Sequence, residues 1–202
     1  MSLINGNNFI FIHIYKCGGM SLRNVFTDNL VTVELNKSHA TAKEIKDYCY
    51  ENGGKFYFDT AFKFSFVRNP FDWIVSLYEF IRNNPNHDNY EEVKNLNFSD
   101  FCSWNIKNIK DKKENPNGNF NTLTEFLFDK NGELLVDFVG KIENYDEDIK
   151  VILKRLKIPE QKMPKINTSN RKPDYKDYYD DKTIKLVTDF FYYDLVNFNY
   201  KF

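Results

Sequence analysis

A short apolar run that empties straight into a lysine and two glycines leaves a chain few ways to fold. Phe9-Ile-Phe-Ile-His-Ile14 is β-prone and mostly apolar, and Tyr15-Lys-Cys-Gly-Gly-Met-Ser21 follows it without a break. A continuous apolar run of this length suits a strand buried on both faces, as in a parallel sheet. From Ser21 onward the apolar residues fall at Leu22, Val25, Phe26 and Leu30, the spacing of a helix face. A strand therefore enters a glycine turn, and the turn opens a helix. The first backbone N–H groups of a helix have no intrahelical partner, and together they carry roughly half a positive charge. Lys16 adds a full charge beside them. Phosphate or sulfate suits such a turn; the alternative is an ordinary strand-turn-helix whose glycines serve packing alone.

The pattern returns further along. Phe62-Lys-Phe-Ser-Phe-Val67 reads as a second strand, and Arg68-Asn-Pro-Phe-Asp-Trp-Ile-Val-Ser76 follows directly. Asn69 suits an N-cap, Pro70 the first helical position and Asp72 the first turn. Phe71, Ile74, Val75, Tyr78 and Ile81 make the buried stripe, with Ser76 off it. Arg68 is thereby placed at the C-terminal edge of a strand, where open α/β sheets bind ligands. A mere surface charge is the competing reading. In a parallel sheet both loops fall on one edge, which suits a ligand with two separate anionic groups, such as a bis-phosphorylated nucleotide. The first loop is not a Walker A motif, because its lysine precedes the glycines instead of following them. No obvious magnesium-binding aspartate follows a strand either, so kinase or ATPase chemistry is poorly supported.

The net charge of -1 means that anion affinity has to be local, and it argues against nucleic acid as a partner. Cys17, Cys49 and Cys102 are odd in number and widely spaced, which indicates neither a disulfide framework nor a zinc site. No signal peptide or bilayer-spanning run is visible, so a cytoplasmic protein that is not integral to a membrane is expected. Its 202 residues suit a single domain, 1–202, with a polar insertion at about 83–122 containing one helix near Ser99 to Ile106. Elsewhere, Val31–Leu35 reads as a strand. Thr41 and Glu44 have capping-box spacing for a helix to about Tyr50, closed by Asn52-Gly-Gly54. Thr124–Phe128 and Leu134–Val139 read as a hairpin about Asn131-Gly132. Asn144 and Glu147 have cap spacing for a helix from Tyr145 to Lys157, Lys162–Lys172 is a basic loop, and Asp180 caps a last helix carrying Leu186, Val187, Phe190, Phe191 and Leu195.

Two stretches resemble the sulfotransferases. Ile14-Tyr-Lys-Cys-Gly-Gly-Met-Ser-Leu22 is similar to their 5′-phosphosulfate loop, usually I-P-K-T-G-G-T-S-L. Phe66-Val-Arg-Asn-Pro-Phe-Asp-Trp-Ile-Val-Ser-Leu-Tyr78 is similar to their 3′-phosphate motif, F-V-R-N-P-x-x-x-x-x-S-x-Y. Ser38–Ile45, Val136–Asn144 and Asn167–Arg171 with Tyr175 to Asp180 resemble segments of the bacterial carbohydrate-type enzymes, in the subgroup that includes heparan sulfate 2-O-sulfotransferase. The resemblance covers nearly the whole chain. It implies an α/β, P-loop-like three-layer fold with a central, mostly parallel sheet flanked by helices. It also implies the donor 3′-phosphoadenosine 5′-phosphosulfate (PAPS), no metal, and a hydroxyl on a glycan or small molecule as acceptor.

On this resemblance Lys16 stabilises the leaving 5′-phosphate, and Cys17, Gly18, Gly19, Met20 and Ser21 line its cradle. Arg68 and Ser76 hold the 3′-phosphate, and Arg171 closes over the nucleotide. The acceptor needs a general base. His39 matches a histidine of the resembling subgroup, with Glu143, Asp59 and His87 as alternatives; by residue type alone His39 reads as a solvated loop histidine. Tyr15 stands where the motif has proline, and Cys17 and Met20 where it has threonines. A thiol is a weak donor and a thioether donates nothing. These departures keep open a non-catalytic nucleotide- or glycan-binding protein. They also make Cys17 a candidate reactive thiol in an electropositive loop.

Overall fold

β-Prone apolar runs become one sheet here, and its parallel centre sets the edge at which the loops emerge. In the computed structural model, residues 3–5, 9–19, 22, 30–32, 39–111, 121–159 and 171–202 are described. The chain divides into two units, Met1–Val67 with Asn115–Ile166, and Arg68–Glu114 with Asn167–Phe202.

The first unit holds strands β1 (Leu3–Asn5), β2 (Phe9–Ile12), β3 (Leu30–Thr32), β4 (Phe62–Val67) and β5 (Phe138–Lys141), in the order β3-β1-β2-β4-β5. β2, β4 and β5 are parallel, with Phe11 opposite Phe64 and Phe64 opposite Phe138. β1 is antiparallel to both β2 and β3. Phe9, Phe11 and Phe62 surround Phe64 at ring distances of 5.7, 5.2 and 5.6 Å. Fully burying each such ring contributes about 1.5–3 kcal/mol. Ser65 is the buried polar residue on β4. Its buried hydroxyl donates to the Ile12 carbonyl at 2.7 Å and holds the end of β2 where the chain turns into the lysine loop.

Helix α1 (Ala42–Glu51) starts with the expected reciprocal box, Thr41 with Glu44, and buries Ala42, Ile45 and Cys49. The glycines after Asn52 lead into a helix the sequence did not signal, α2 (Lys55–Thr60), whose Tyr57 hydroxyl donates to the Phe9 carbonyl at 3.0 Å. The expected hairpin is overturned. Leu123–Leu127 is a helix, α6, because Thr122 and Glu125 form a capping box. The turn at Asn131-Gly132 is real, with Gly132 at φ +79° and its N–H bonded to the Asp129 carbonyl at 3.0 Å. Phe128 and Leu134 form an isolated bridge across it, and Phe138–Lys141 pairs with β4 instead. Helix α7 (Tyr145–Leu156) buries Ile149, Ile152 and Leu153. Asn144 makes no side-chain cap there; its amide donates to Asp148 at 2.9 Å.

In the second unit, α3 (Pro70–Arg82) begins as its residues dictate, Asn69 accepting from the Phe71 N–H at 3.1 Å. The helix expected near Ser99 to Ile106 is present and longer, α5 (Phe98–Lys110), with Asn97 as its cap in place of Ser99, and a short helix, α4 (Tyr90–Val93), stands where polar loop was expected. The apolar residues Phe98, Phe101, Ile106 and Ile109 recur on one face of α5 and are buried. The last helix is two, α8 (Asp181–Phe190), capped by Asp180 with Thr183, and α9 (Tyr192–Asn197), joined at the buried Phe191. Several expectations lie outside the described residues: the first helix beyond Leu22, Val33–Leu35 of the strand read over 31–35, residues 112–120, and most of the basic loop.

Candidate functional site

The lysine loop leaves β2 with a tight turn in which the Cys17 N–H donates to the Ile14 carbonyl at 3.2 Å. Lys16 has φ 60° and Gly18 φ 74°. A left-handed conformation costs a residue other than glycine roughly 1–2 kcal/mol, and such strain concentrates at functional sites. The space around the glycines is equally specific. A Cβ on Gly18 would lie 2.7 Å from Ile142 Cδ1, and one on Gly19 would lie 1.9 Å from His13 Nε2. The backbone here can thus approach its neighbours only without side chains. Cys17 is 1% exposed, and its N–H is engaged in the turn with the Ile14 carbonyl. Met20 and Ser21 lie outside the described residues.

His39 is not a solvated loop residue. It is 7% exposed, its ring 4.5 Å from that of His13 and 5.0 Å from that of Tyr15. Its Nδ1 lies 2.9 Å from the His13 carbonyl, so the tautomer that satisfies this contact carries its proton on Nδ1 and leaves the lone pair on Nε2. Burial lowers its pKa to about 4, against a smaller opposing effect of the bond to His13, and it is neutral at pH 7. The loop residues and His39 are thus assembled through His13, which the sequence reading passed over. The signal was available: an imidazole at the end of an otherwise apolar run, immediately before the turn. His13 is itself buried, stacked on Phe11 at 5.7 Å, and it is the group that forces glycine at position 19.

Tyr145 is a second residue that the sequence did not single out. Its ring lies beside Gly18 and 5.0 Å from that of Phe66, and its hydroxyl is buried with no hydrogen-bond partner among the described residues. Burial pushes that phenol up to about 12. A buried donor with no partner among the described residues fits a ligand that accepts a hydrogen bond. Glu143 sits in a 3-10 turn (Ile142–Asn144) next to the Ile142 that packs on Gly18, but its side chain is exposed. Asp59 is exposed and accepts from the Tyr50 hydroxyl at 2.7 Å, and His87 accepts from the Asn89 N–H at 3.1 Å. Neither has the buried setting of His39.

The second unit carries Arg68, Ser76 and Arg171. Arg68 Nε donates to Asp72 Oδ2 at 2.6 Å, and Arg171 Nη1 donates to Asp72 Oδ1. Ser76 is 4% exposed, since α3 is buried well beyond the stripe expected for it. Asp72 was read only as a helix-dipole residue, and the meeting of two arginines on it is a long-range contact that no local spacing encodes.

Compared with known families, residues 4–201 match the Sulfotransferase family. The chain is a member of the Sulfotransferase family. An uncharacterized protein of Archaeoglobus fulgidus is 34% identical to this chain over 116 residues, covering 57% of this chain and 84% of the relative. No solved structure matches it. Its parallel strands flanked by helices agree with the α/β fold that the motifs imply. Among the described residues, no helix is long and apolar enough to cross a membrane.

Proposed function

We propose that this sulfotransferase moves a sulfuryl group from PAPS to a hydroxyl of a carbohydrate or glycan-like acceptor. The observation that carries the reading is the placement of His39, buried with its ring 5.0 Å from that of Tyr15 in the lysine loop and its Nδ1 held 2.9 Å from the His13 carbonyl. When bound, the donor supplies a sulfuryl group whose bond to the 5′-phosphate oxygen breaks as the acceptor oxygen bonds to sulfur. His39 Nε2 takes the acceptor's proton, and the His13 carbonyl steadies the imidazolium that forms through its bond to Nδ1–H. Lys16, held in its left-handed conformation, offsets the negative charge that develops on the leaving oxygen. The glycine cradle and the Tyr145 hydroxyl supply further donors there. Arg68 and Ser76 hold the 3′-phosphate, on the strength of the motif they match, and Arg171 closes over the nucleotide. The acceptor class rests on the segments that resemble the carbohydrate enzymes.

Calorimetry with adenosine 3′,5′-bisphosphate, followed by a labelled-donor screen over glycans, tests this. Binding of the bisphosphate and transfer of label are expected. Lys16→Ala should lower turnover by about 10²–10³-fold, the usual cost of removing a group that stabilises developing charge. Turnover that survives both Lys16→Ala and His39→Ala would end the reading. Tight binding with no transfer to any acceptor would point instead to a binding protein that kept the fold.

A further inference from the structure

We propose that Asp72 is a positioning residue whose carboxylate gathers Arg68 and Arg171 into one donor cluster and thereby sets the preference for a nucleotide bearing a 3′-phosphate. This rests on the donor reading above.

The two oxygens of Asp72 are divided between the arginines, Oδ2 accepting from Arg68 Nε and Oδ1 from Arg171 Nη1. The side chains of Arg68 and Asp72 are 13% exposed and that of Arg171 is 18% exposed, so solvent screens the trio little. Asp72 is itself fixed, one turn into a helix whose start is set by Asn69 and Pro70. Arg171 arrives from a distant segment tied along α3 at several points. The Tyr179 hydroxyl donates to the Phe71 carbonyl at 2.8 Å, and the Tyr178 hydroxyl donates to Glu79 Oε1 at 3.0 Å. The Lys172 N–H donates to that same Tyr178 hydroxyl at 3.1 Å. The backbone beside Arg171 is therefore anchored, and Asp72 decides where its guanidinium points.

Two guanidiniums this close repel each other, and long side chains lose rotamer freedom when a ligand has to order them. A shared carboxylate removes both problems in advance. The trio keeps a net charge of +1, two cations less one anion, which still attracts a phosphate dianion. The carboxylate also repels that dianion. If its repulsion outweighed the benefit of orientation, neutralising Asp72 would tighten binding, so the sign of the effect decides the matter.

The test is calorimetric titration of the full chain with adenosine 3′,5′-bisphosphate and with adenosine 5′-monophosphate, which lacks the 3′-phosphate. Wild type should prefer the bisphosphate. Asp72→Asn should weaken the bisphosphate about tenfold or more, the scale of one lost charge-assisted hydrogen bond, while the monophosphate changes less than about threefold. Asp72→Glu should recover part of the loss. Equal or tighter bisphosphate binding by Asp72→Asn would overturn the proposal, as would equal weakening of both nucleotides, which marks a purely structural role. Should Asp72→Asn fail to fold, Arg171→Ala carries the test: an unchanged ratio of the two affinities overturns the proposal. A wild type that shows no preference for the bisphosphate sinks the donor reading itself, a result visible before any variant is made.

Discussion

Acidification tests the burial of His39 most directly. Its pKa is about 4 in the folded protein against an ordinary 6.5, chiefly because burial disfavours the charged ring. Between those values the unfolded chain binds a proton that the folded chain refuses. The stability that His39 contributes is therefore complete above pH 6.5, falls as the pH drops toward 4, and levels off below that. Integrating the proton difference gives a loss of about 2 kcal/mol by about pH 5, approaching about 3 kcal/mol below pH 4. The perturbation is His39→Asn, whose amide can still donate to the His13 carbonyl but does not titrate. Urea unfolding of both proteins at about pH 7.5 and about pH 5 isolates the residue, because every other titratable group is common to the two. Wild type should lose about 2 kcal/mol more than the variant across this interval. Parallel losses in the two proteins would refute both the buried imidazole and the neutral base built on it.

Gly19→Ala places a methyl 1.9 Å from His13 Nε2 and should destabilise the protein by about 1–3 kcal/mol or more; adding His13→Ala should recover much of that, read by urea unfolding. Cys17, Cys49 and Cys102 are all buried, and burial pushes Cys102 up to about 12, so a thiol reagent should label none of them rapidly in the native state and all three in urea. Thr41→Ala removes one half of the capping box of α1 and should cost about 1 kcal/mol in the same unfolding assay. Adenosine 3′,5′-bisphosphate should raise the pKa of His39, since an anion in the cradle favours the imidazolium; NMR titration of the ring protons with and without the nucleotide measures this.

Local chemistry made much of the fold legible. Phe62–Val67 and the Asn69-Pro70-Asp72 start of α3 are written in adjacent residues, and the structure places strand and helix where those residues put them. The capping box at Thr41 and the cap at Asp180 were equally plain. Where the reading failed, the period was ambiguous or the decisive partner was far away. Phe126-Leu-Phe128 is too short an apolar run to separate strand from helix, and the Thr122–Glu125 box that decides it for helix went unread. The helix over 55–60 follows two glycines, which announce an ending and not a restart. At the site, the glycine loop could be seen in the sequence but its reason could not. Glycine at 19 is dictated by His13, and the burial of His39 by rings that lie some 26 residues back along the chain. Ser76 was placed off the apolar stripe because periodicity describes one face of a helix, whereas α3 is buried beyond that face.

The parallel pairing of β4 with β5 also governs how the chain comes into being. Phe64 waits for Phe138, and more than a third of the polypeptide is synthesised between them. Until β5 leaves the ribosome, one side of a strand reading Phe-Lys-Phe-Ser-Phe-Val offers unsatisfied backbone groups and three phenylalanines to whatever passes. A polypeptide truncated before Phe138 is therefore expected to aggregate on expression, since β4 keeps an open edge.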